Sequence, residues 1–508
     1  MVRHQFDHHP LLLSIDVNVV KHAVPFKFFK AWSEHEDCRR LVSHSWSRNV
    51  RGSGMVRLQL KLKNLKLVLK TWNRTVFGDV DRQVRLALEE VNRIQLLLDS
   101  EGFSDDIYRQ HLEAQLILTK AFNYQDVLWK EKARDPNFIN GDRNTSYFHR
   151  LAKFRAAAKP ITLLYNEDIV ITEPADIEVH VLNYFTSIFS IDNNCVQNEI
   201  LDRSVPSLVS EEDNHNLLRL PLREEIKNAI FDLNGDGAPG PDGFGGHFYH
   251  TFWDIIETDV IHSVQEFFIT GSLPPNINSN MLVLIPKVTG VQAMGDFRPI
   301  ALANFQFKIV TKLLADRLSI IAMCIVSPEQ RGFIRDRNIS ECIILASRAM
   351  ACYAGKIAPM FYCRGTSIPT HILYANDVLI FCAGTKQNIR CLLKIFNDYS
   401  EVSGQIINNS KSRFYSGAMT TSRSQMIARM LRFSAGTIPF TYLGCPIFKG
   451  KPKGIYFQSI IDRIKVKLAT WKGTMLTIMG QVQLIKSIIH GMLVYSFHIY
   501  LWPKHLLH

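Results

Sequence analysis

The hydrophobic period of this chain changes along its length from that of a helix to that of a strand. That change restricts it to folds that combine both elements. Leu58, Leu62, Leu65 and Leu69 are spaced four, three and four residues apart, which places them on one helix face. Val84, Leu88, Val91, Ile94 and Leu98 repeat the pattern, and Trp72 to Gly78 (WNRTVFG) interrupts it. The spacing predicts a long helical hairpin over residues 55–135, with a polar, mixed-charge outer face, serving as a spacer or scaffold. Further on the signal reverses. Met281–Pro286 is a short apolar run of strand type. His371–Phe381 (HILYANDVLIF) sets apolar β-formers on both sides of a polar pair and predicts strand, tight turn, strand.

Other helical patterns occupy Phe248–Thr270 and Phe307–Ile325. Ile460, Ile464, Leu468 and Trp471 form one apolar stripe near the end, and Val482, Ile485, Ile489 and Met492 another; both predict core-facing helices. Gly235–Gly246 (GDGAPGPDGFGG) must be a loop, since neither helix nor strand tolerates that density of Gly and Pro. It lacks the Gly-Lys-Ser/Thr ending of a phosphate-cradling loop. No internal repeat or low-complexity tract interrupts the chain. With 508 residues, 46% of them hydrophobic, it can build two to four folding units of α+β class.

The 59 Lys and Arg outnumber the 47 Asp and Glu, a formal charge of +12, which attracts polyanions and nucleic acid first among them. A merely basic soluble protein has the same balance. Between 130 and 159, Lys130, Lys132, Arg134, Arg143, Arg150, Lys153, Arg155 and Lys159 mix with Tyr147, Phe148, His149 and Phe154. Cations hold phosphates and interleaved aromatics stack on unpaired bases, although a solvated basic face reads the same way. The nine cysteines include no C-x-x-C pair, which argues against a disulfide framework or zinc ribbon and for a reducing compartment. No signal peptide and no bilayer-length apolar run is visible, so the expectation is a soluble protein of nucleus or cytoplasm.

An acid at the tip of an apolar hairpin is held away from the core, where it can meet a metal ion. Tyr374-Ala375-Asn376-Asp377 resembles the Tyr-Ala-Asp-Asp box of plant-type non-LTR (LINE) reverse transcriptases, and its neighbours extend the resemblance over nearly the whole chain. Leu284-Ile285-Pro286-Lys287 and Asp296-Phe297-Arg298-Pro299-Ile300 are similar to that family's finger segments. Gln330-Arg331-Gly332-Phe333 with Arg337-Asn338-Ile339 resembles the block that follows. Ser403-Gly404-Gln405-Ile406-Ile407-Asn408 with Lys411-Ser412 resembles the segment after the box, and Tyr442-Leu443-Gly444, Trp471-Lys472 and Met479-Gly480 resemble the thumb and adjoining helices. Gly141-Asp142-Arg143-Asn144-Thr145 and Gly237–Gly243 are also typical. Asp7-His8, before His9 and Pro10, looks like the last motif of the apurinic-type endonuclease that precedes the polymerase in these elements, with Phe6 where a Ser is usual. Ten residues cannot fold a nuclease, and nothing positions His4, Asp7, His8 and His9 as a metal site.

The resemblance implies a right-hand polymerase fold, incomplete in this chain. It would comprise an endonuclease remnant (1–10), a helical connector (11–140), a basic linker and pre-finger region (141–245), fingers (246–349), a truncated palm (350–420) and thumb helices (421–508). It implies RNA-directed DNA synthesis, with an RNA template, a DNA primer, deoxynucleoside triphosphates and Mg2+; no membrane and no obligate protein partner are implied. Asp377 would be the catalytic metal ligand, Lys287, Arg298 and Arg337 would face nucleotide or template, and Lys411 would stand where the family has a lysine that gives a proton to pyrophosphate. Two departures argue that this copy has lost the reaction, which leaves a nucleic-acid-binding remnant or a non-functional pseudogene product without catalysis as the alternative reading. Asn376 replaces the first acid of the box, and Asp377 is the only Asp or Glu between 342 and 397. The chain passes from Ala349 to Ile372 without the strand that carries the family's first catalytic Asp or the Gly-Asp-Pro loop after it, as an internal deletion would leave it. Two magnesium ions are normally clamped by about three carboxylates. Loss of even one stabilising donor costs about 2–4 kcal/mol of transition-state energy. Asp336 also stands where the family commonly has Gly.

Overall fold

A computed structural model describes residues 25–133, 161–190, 206–353 (apart from 288, 289 and 292), 371–470 (apart from 417 and 418) and 496–506, with isolated positions between. The chain begins with α1 (Lys30–Ser33) and α2 (Glu36–Trp46), the latter started by His35, whose ring accepts from the Asp37 N–H. In α3 (Gly54–Trp72) the predicted leucine stripe is the buried face, with Leu58, Leu62, Leu65 and Leu69 all at 4% exposure or less. The predicted interruption is a π-helical turn, Asn73–Phe77, ended by Gly78 at φ 64°. Helix α4 (Val80–Glu101) is capped by the Asp79 carboxylate, which accepts from the Asp81 and Arg82 N–H groups. It packs along α5 (Asp105–Ala133). The helical hairpin is therefore α4 with α5, and α3 docks elsewhere. The inward stripe of α4 runs through Val80, Val84, Ala87, Val91 and Ile94, while Leu88 is exposed. The 3.6-residue period selects Ala87, whose small side chain makes it easy to overlook in a hydrophobic pattern.

A short hairpin, β1 (Leu164–Asn166) with β2 (Ile169–Ile171), leads to α6 (Pro174–Phe189). Helix α7 (Glu211–Leu218) starts with a reciprocal Ser210–Asp213 capping box, and α8 (Arg223–Asp232) follows. Beyond the Gly/Pro loop come α9 (Gly246–Thr251) and α10 (Trp253–Thr270). The ribbon of β3 (Asn280–Pro286) and β4 (Phe297–Ala303) leads into α11 (Phe305–Ile325). One core runs through these helices. The leucines of α3 share one cluster with Ile226 and Ile230 of α8, Ile256, Val260 and Val264 of α10, and Ile309 and Leu313 of α11, together with Phe28, Trp32, Phe244 and Phe248, and α3 packs along α10. The segment expected to be a spacer thus shares its core with residues expected to form fingers.

Polar pins fix this core. Asp259 on α10 is 9% exposed and accepts from Trp46 Nε1 (2.8 Å), Arg57 Nε (2.9 Å) and Lys61 Nζ (2.7 Å). Arg317 on α11, 6% exposed, donates to Glu225 Oε1 (2.8 Å) and to the carbonyls of Leu217 (2.9 Å) and Arg219 (2.7 Å). The Gly/Pro loop is pinned too. The Asp242 N–H donates to Asn304 Oδ1 (3.0 Å), the Asp242 carboxylate accepts from the Phe244 N–H (3.0 Å), and the Phe28 N–H donates to the Gly243 carbonyl (2.9 Å). Burial pushes the Asp242 carboxyl up to about 6, against the pull of the Phe244 and Gly243 N–H groups and of Lys66 and Lys308.

The second half contains α12 (Ile339–Tyr353), β5 (His371–Tyr374), β6 (Asp377–Ile380), α13 (Lys386–Ser403), β7 (Arg413–Tyr415), α14 (Thr421–Leu431), β8 (Ser434–Gly436), β9 (Phe440–Tyr442), β10 (Cys445–Ile447) and α15 (Gly454–Thr470). Every sheet among the described residues is a strand pair, antiparallel except for β7 with β8. A separate core joins Cys342, Ile343 and Ala346 of α12 to Ile372 of β5 and to Tyr442, Cys445 and Ile447. Tyr500 locks it, its hydroxyl meeting Ser347 Oγ at 2.7 Å and donating to the Pro446 carbonyl at 2.8 Å. Of the C-terminal stripes, Ile460 is buried, but Val482 and Ile485 are 41% and 52% exposed, contrary to the expected core-facing helix. Leu468 through its side chain, and Trp471, Ile489 and Met492 altogether, lie outside the described residues. The cysteines at 38, 324, 342, 382, 391 and 445 are not joined in disulfides. No described helix is long and apolar enough to cross a membrane.

Candidate functional site

The sequence pattern HILYANDVLI folds as predicted into a hairpin. β5 and β6 pair from His371↔Ile380 to Tyr374↔Asp377, leaving Ala375 and Asn376 as a two-residue turn. Ile372 is buried against α12, whereas Asn376 and Asp377 are exposed at the tip. Position along the hairpin explains the arrangement, since Ile372 anchors its base in the core while Asn376 and Asp377 lie at the turn, away from that core. Ala375 adopts φ 53°. A left-handed first turn residue is a glycine position in tight hairpins, and for alanine it costs about 1–2 kcal/mol. Ala375→Gly should therefore stabilise the protein by about 1 kcal/mol in denaturant unfolding. No gain would show that the turn relaxes to another backbone in solution.

A segment 45 residues upstream holds this turn. The Leu373 N–H donates to the Glu329 carbonyl (3.1 Å) and the Arg331 N–H to the Leu373 carbonyl (2.9 Å), so residues 329–331 run beside β5 as a partial third strand. The Gln330 carboxamide closes over the turn. Its Oε1 accepts from the N–H groups of Ala375 (2.9 Å) and Gly332 (2.8 Å), and its Nε2 donates to the Ala375 carbonyl (3.2 Å). A Cβ at Gly332 would lie 2.5 Å from the Ala375 nitrogen, so only glycine permits this approach. Arg331 pairs with Glu341 (2.5 Å) at the start of α12. The Gln-Arg-Gly-Phe block and the Tyr-Ala-Asn-Asp block are thus one local structure. Gln330 is its central residue, and no sequence spacing assigned it that role. Asp336, standing at a position read as glycine in the resemblance, has φ 62°, a backbone that favours glycine.

Arg337 belongs to the same assembly. Its Nη1 donates to the carbonyls of Ser327 (2.6 Å) and Gln330 (2.7 Å), and its Nη2 to that of Val326 (3.1 Å). The guanidinium thus fastens the end of α11 to the loop that carries Gln330, and a phosphate would have to compete with those carbonyls. Lys287 and Arg298 sit on the β3–β4 ribbon. The register Ile285↔Arg298 puts both on one face, and Lys287 Nζ donates to the Gly295 carbonyl (2.5 Å). Lys411 is exposed in the loop after α13, where its N–H donates to Asn408 Oδ1 (3.1 Å). Among the described residues no hydrogen bond or ion pair joins Lys287, Arg298 or Lys411 to the hairpin tip. Asp7 and His8, the segment 354–370 and most of the basic stretch 134–159 lie outside the described residues.

The tip offers one carboxylate, Asp377, and one neutral amide, Asn376. Among the described residues no three His, Cys, Asp or Glu side chains converge as a metal site would require. Segment 354–370 contains no acid either. These donors do not fit a clamp for two magnesium ions, which needs several negative oxygens at fixed octahedral distances.

What the site and fold define is an apolar-anchored acidic hairpin buttressed by an upstream Gln-Arg-Gly-Phe loop in a chain of mixed helix and strand. No family model matches the chain. Over 288 residues, 56% of its length, it is 25% identical to the Transposon TX1 uncharacterized 149 kDa protein of Xenopus laevis. The match covers 22% of that protein, so the chain is similar to about a fifth of a transposon protein.

Proposed function

We propose that this chain is a reverse transcriptase-like product of a non-LTR retrotransposon, in a copy that no longer synthesises DNA. Its relation to a transposon protein and the order of its motif blocks support the first part. The single observation that carries the second is the hairpin tip, where one exposed aspartate stands beside an asparagine. In an intact enzyme of this kind, two magnesium ions would activate the primer 3′-oxygen and neutralise the leaving pyrophosphate. Here the surviving residues hold the turn through Gln330 and present Asp377, with little negative charge to retain the ions. The endonuclease remnant at Asp7 and His8 and the assignment of Lys287, Arg298 and Lys411 to template or nucleotide belong to the same proposal.

Primer extension on an RNA template with Mg2+ and deoxynucleoside triphosphates tests the reading. Incorporation should equal that of an Asp377→Ala control. Synthesis clearly above that control would overturn the loss of activity.

A further inference from the structure

Between Asp37 and Asp79 the chain carries ten Lys and Arg and no Asp or Glu. Four of these cations are spoken for: Arg39 pairs with Asp254, Arg40 with Asp37, and Arg57 and Lys61 with Asp259. Lys63, Lys70 and Arg74 are exposed, and no ion pair engages them among the described residues. With Lys66 they fall at intervals of three, four and four residues along α3 and the turn after it, so they share one face. At about 1.5 Å per residue the stripe is roughly 16 Å long. Like charges at this spacing repel one another. Burial first, and the neighbouring Lys70 next, lower the Lys66 pKa. Lys66 Nζ donates to the Asp242 carbonyl (3.4 Å) and Lys308 Nζ to the Ala238 carbonyl (3.1 Å), so the stripe runs to the Gly/Pro loop. A mixed-charge outer face was expected here, and α3 carries only one sign.

We infer that the outer face of α3, Lys63 to Arg74, is a docking track for the phosphate backbone of nucleic acid, separate from the hairpin. A row of cations in which, among the described residues, only Lys66 has an acidic neighbour, Asp242, meets a polymer of regularly spaced negative charges and releases its condensed ions. An anionic membrane fits less well. The apolar face that would enter a bilayer is already buried, with Leu58, Leu62, Leu65 and Leu69 in the core, and Leu67 is the one large aliphatic exposed on α3. The track reads no base, so it binds without sequence preference and leaves selection to other surfaces.

The test is fluorescence anisotropy of the full chain with a labelled 20-base-pair DNA duplex and a 20-nucleotide RNA over a KCl series. The triple variant Lys63→Gln, Lys70→Gln, Arg74→Gln is compared with Lys386→Gln, Arg390→Gln, Lys394→Gln, an equal charge loss on α13. Circular dichroism and a melting curve confirm that both remain folded. The slope of log K against log salt on the duplex should become shallower by about two to three in the α3 variant. Affinity at low salt should fall at least tenfold there and less than threefold in the control. Asp377→Ala should bind like the unaltered chain, which separates this surface from the hairpin. Equal losses in both triple variants would overturn the proposal, as would an unchanged slope in the α3 variant. So would an α3 dependence seen only with phosphatidylserine vesicles.

Discussion

Asp259→Ala should destabilise the protein by about 3–5 kcal/mol, the range for removing one partner of a largely buried ion pair. The change strands the Arg57 and Lys61 cations and leaves the Trp46 indole N–H without its acceptor. Asp259→Asn keeps an acceptor for Trp46 and should recover part of the loss. Burial pushes the Asp259 carboxyl up, but the hydrogen bonds and charges of Lys61 and Arg57, with Trp46, outweigh it and hold the group below the usual carboxylate range. A depressed folded pKa means that the stabilisation is present above the unfolded value near 4 and is lost as pH falls through the folded value. The gap between wild type and variant should therefore be full at pH 7 and shrink below about pH 4. Urea unfolding followed by tryptophan fluorescence measures both. A difference under about 1 kcal/mol at pH 7 would mean that solvent already screens the cluster.

Gly243→Ala is the second large effect, at about 2–5 kcal/mol. Gly243 has φ 86°, a conformation that costs a residue with a Cβ about 1–2 kcal/mol. Its added Cβ would also collide with the carbonyl and ring of Phe26, and forced overpacking costs about 1–3 kcal/mol. Gly271 at the end of α10 supplies the control. It has φ 64° with no atom within 4 Å of the place a methyl group would take, so Gly271→Ala should lose only the backbone term. If the two variants lose the same amount, segment 26–28 moves aside without penalty and the loop is not a fixed part of the core.

Local pattern made the elements legible, and long-range docking was where it stopped. The leucine stripe of α3 and the hairpin at 371–380 follow from local pattern, because side chains three or four residues apart on a helix, or alternating on a strand, must share a face, and the apolar run Met281–Pro286 marks β3 to within one residue of its start. The partner of α3 does not follow. Its leucines would suit any apolar surface, and they chose α10, some two hundred residues on. The break at Phe252 that divides α9 from α10 was also hidden, since the apolar pattern continues across it. At the site, Asn376 and Asp377 were visible as a polar pair in an apolar run. Gln330 was visible only as a letter in a block, because a carboxamide that clasps a distant turn leaves no period behind. The same holds for Arg337, whose carbonyl partners carry no side-chain signature at all.

The bond between Tyr500 and Ser347 spans 153 residues of chain. During synthesis the helices from Phe28 to Leu313 can collapse on one another while the ribosome is still at work. The apolar cluster behind the acidic hairpin must wait, because the tyrosine that latches it is added long after the serine it meets. A nascent chain stalled before that point would leave the cluster unlatched, with Ser347 and the Pro446 carbonyl still without the hydroxyl that joins them.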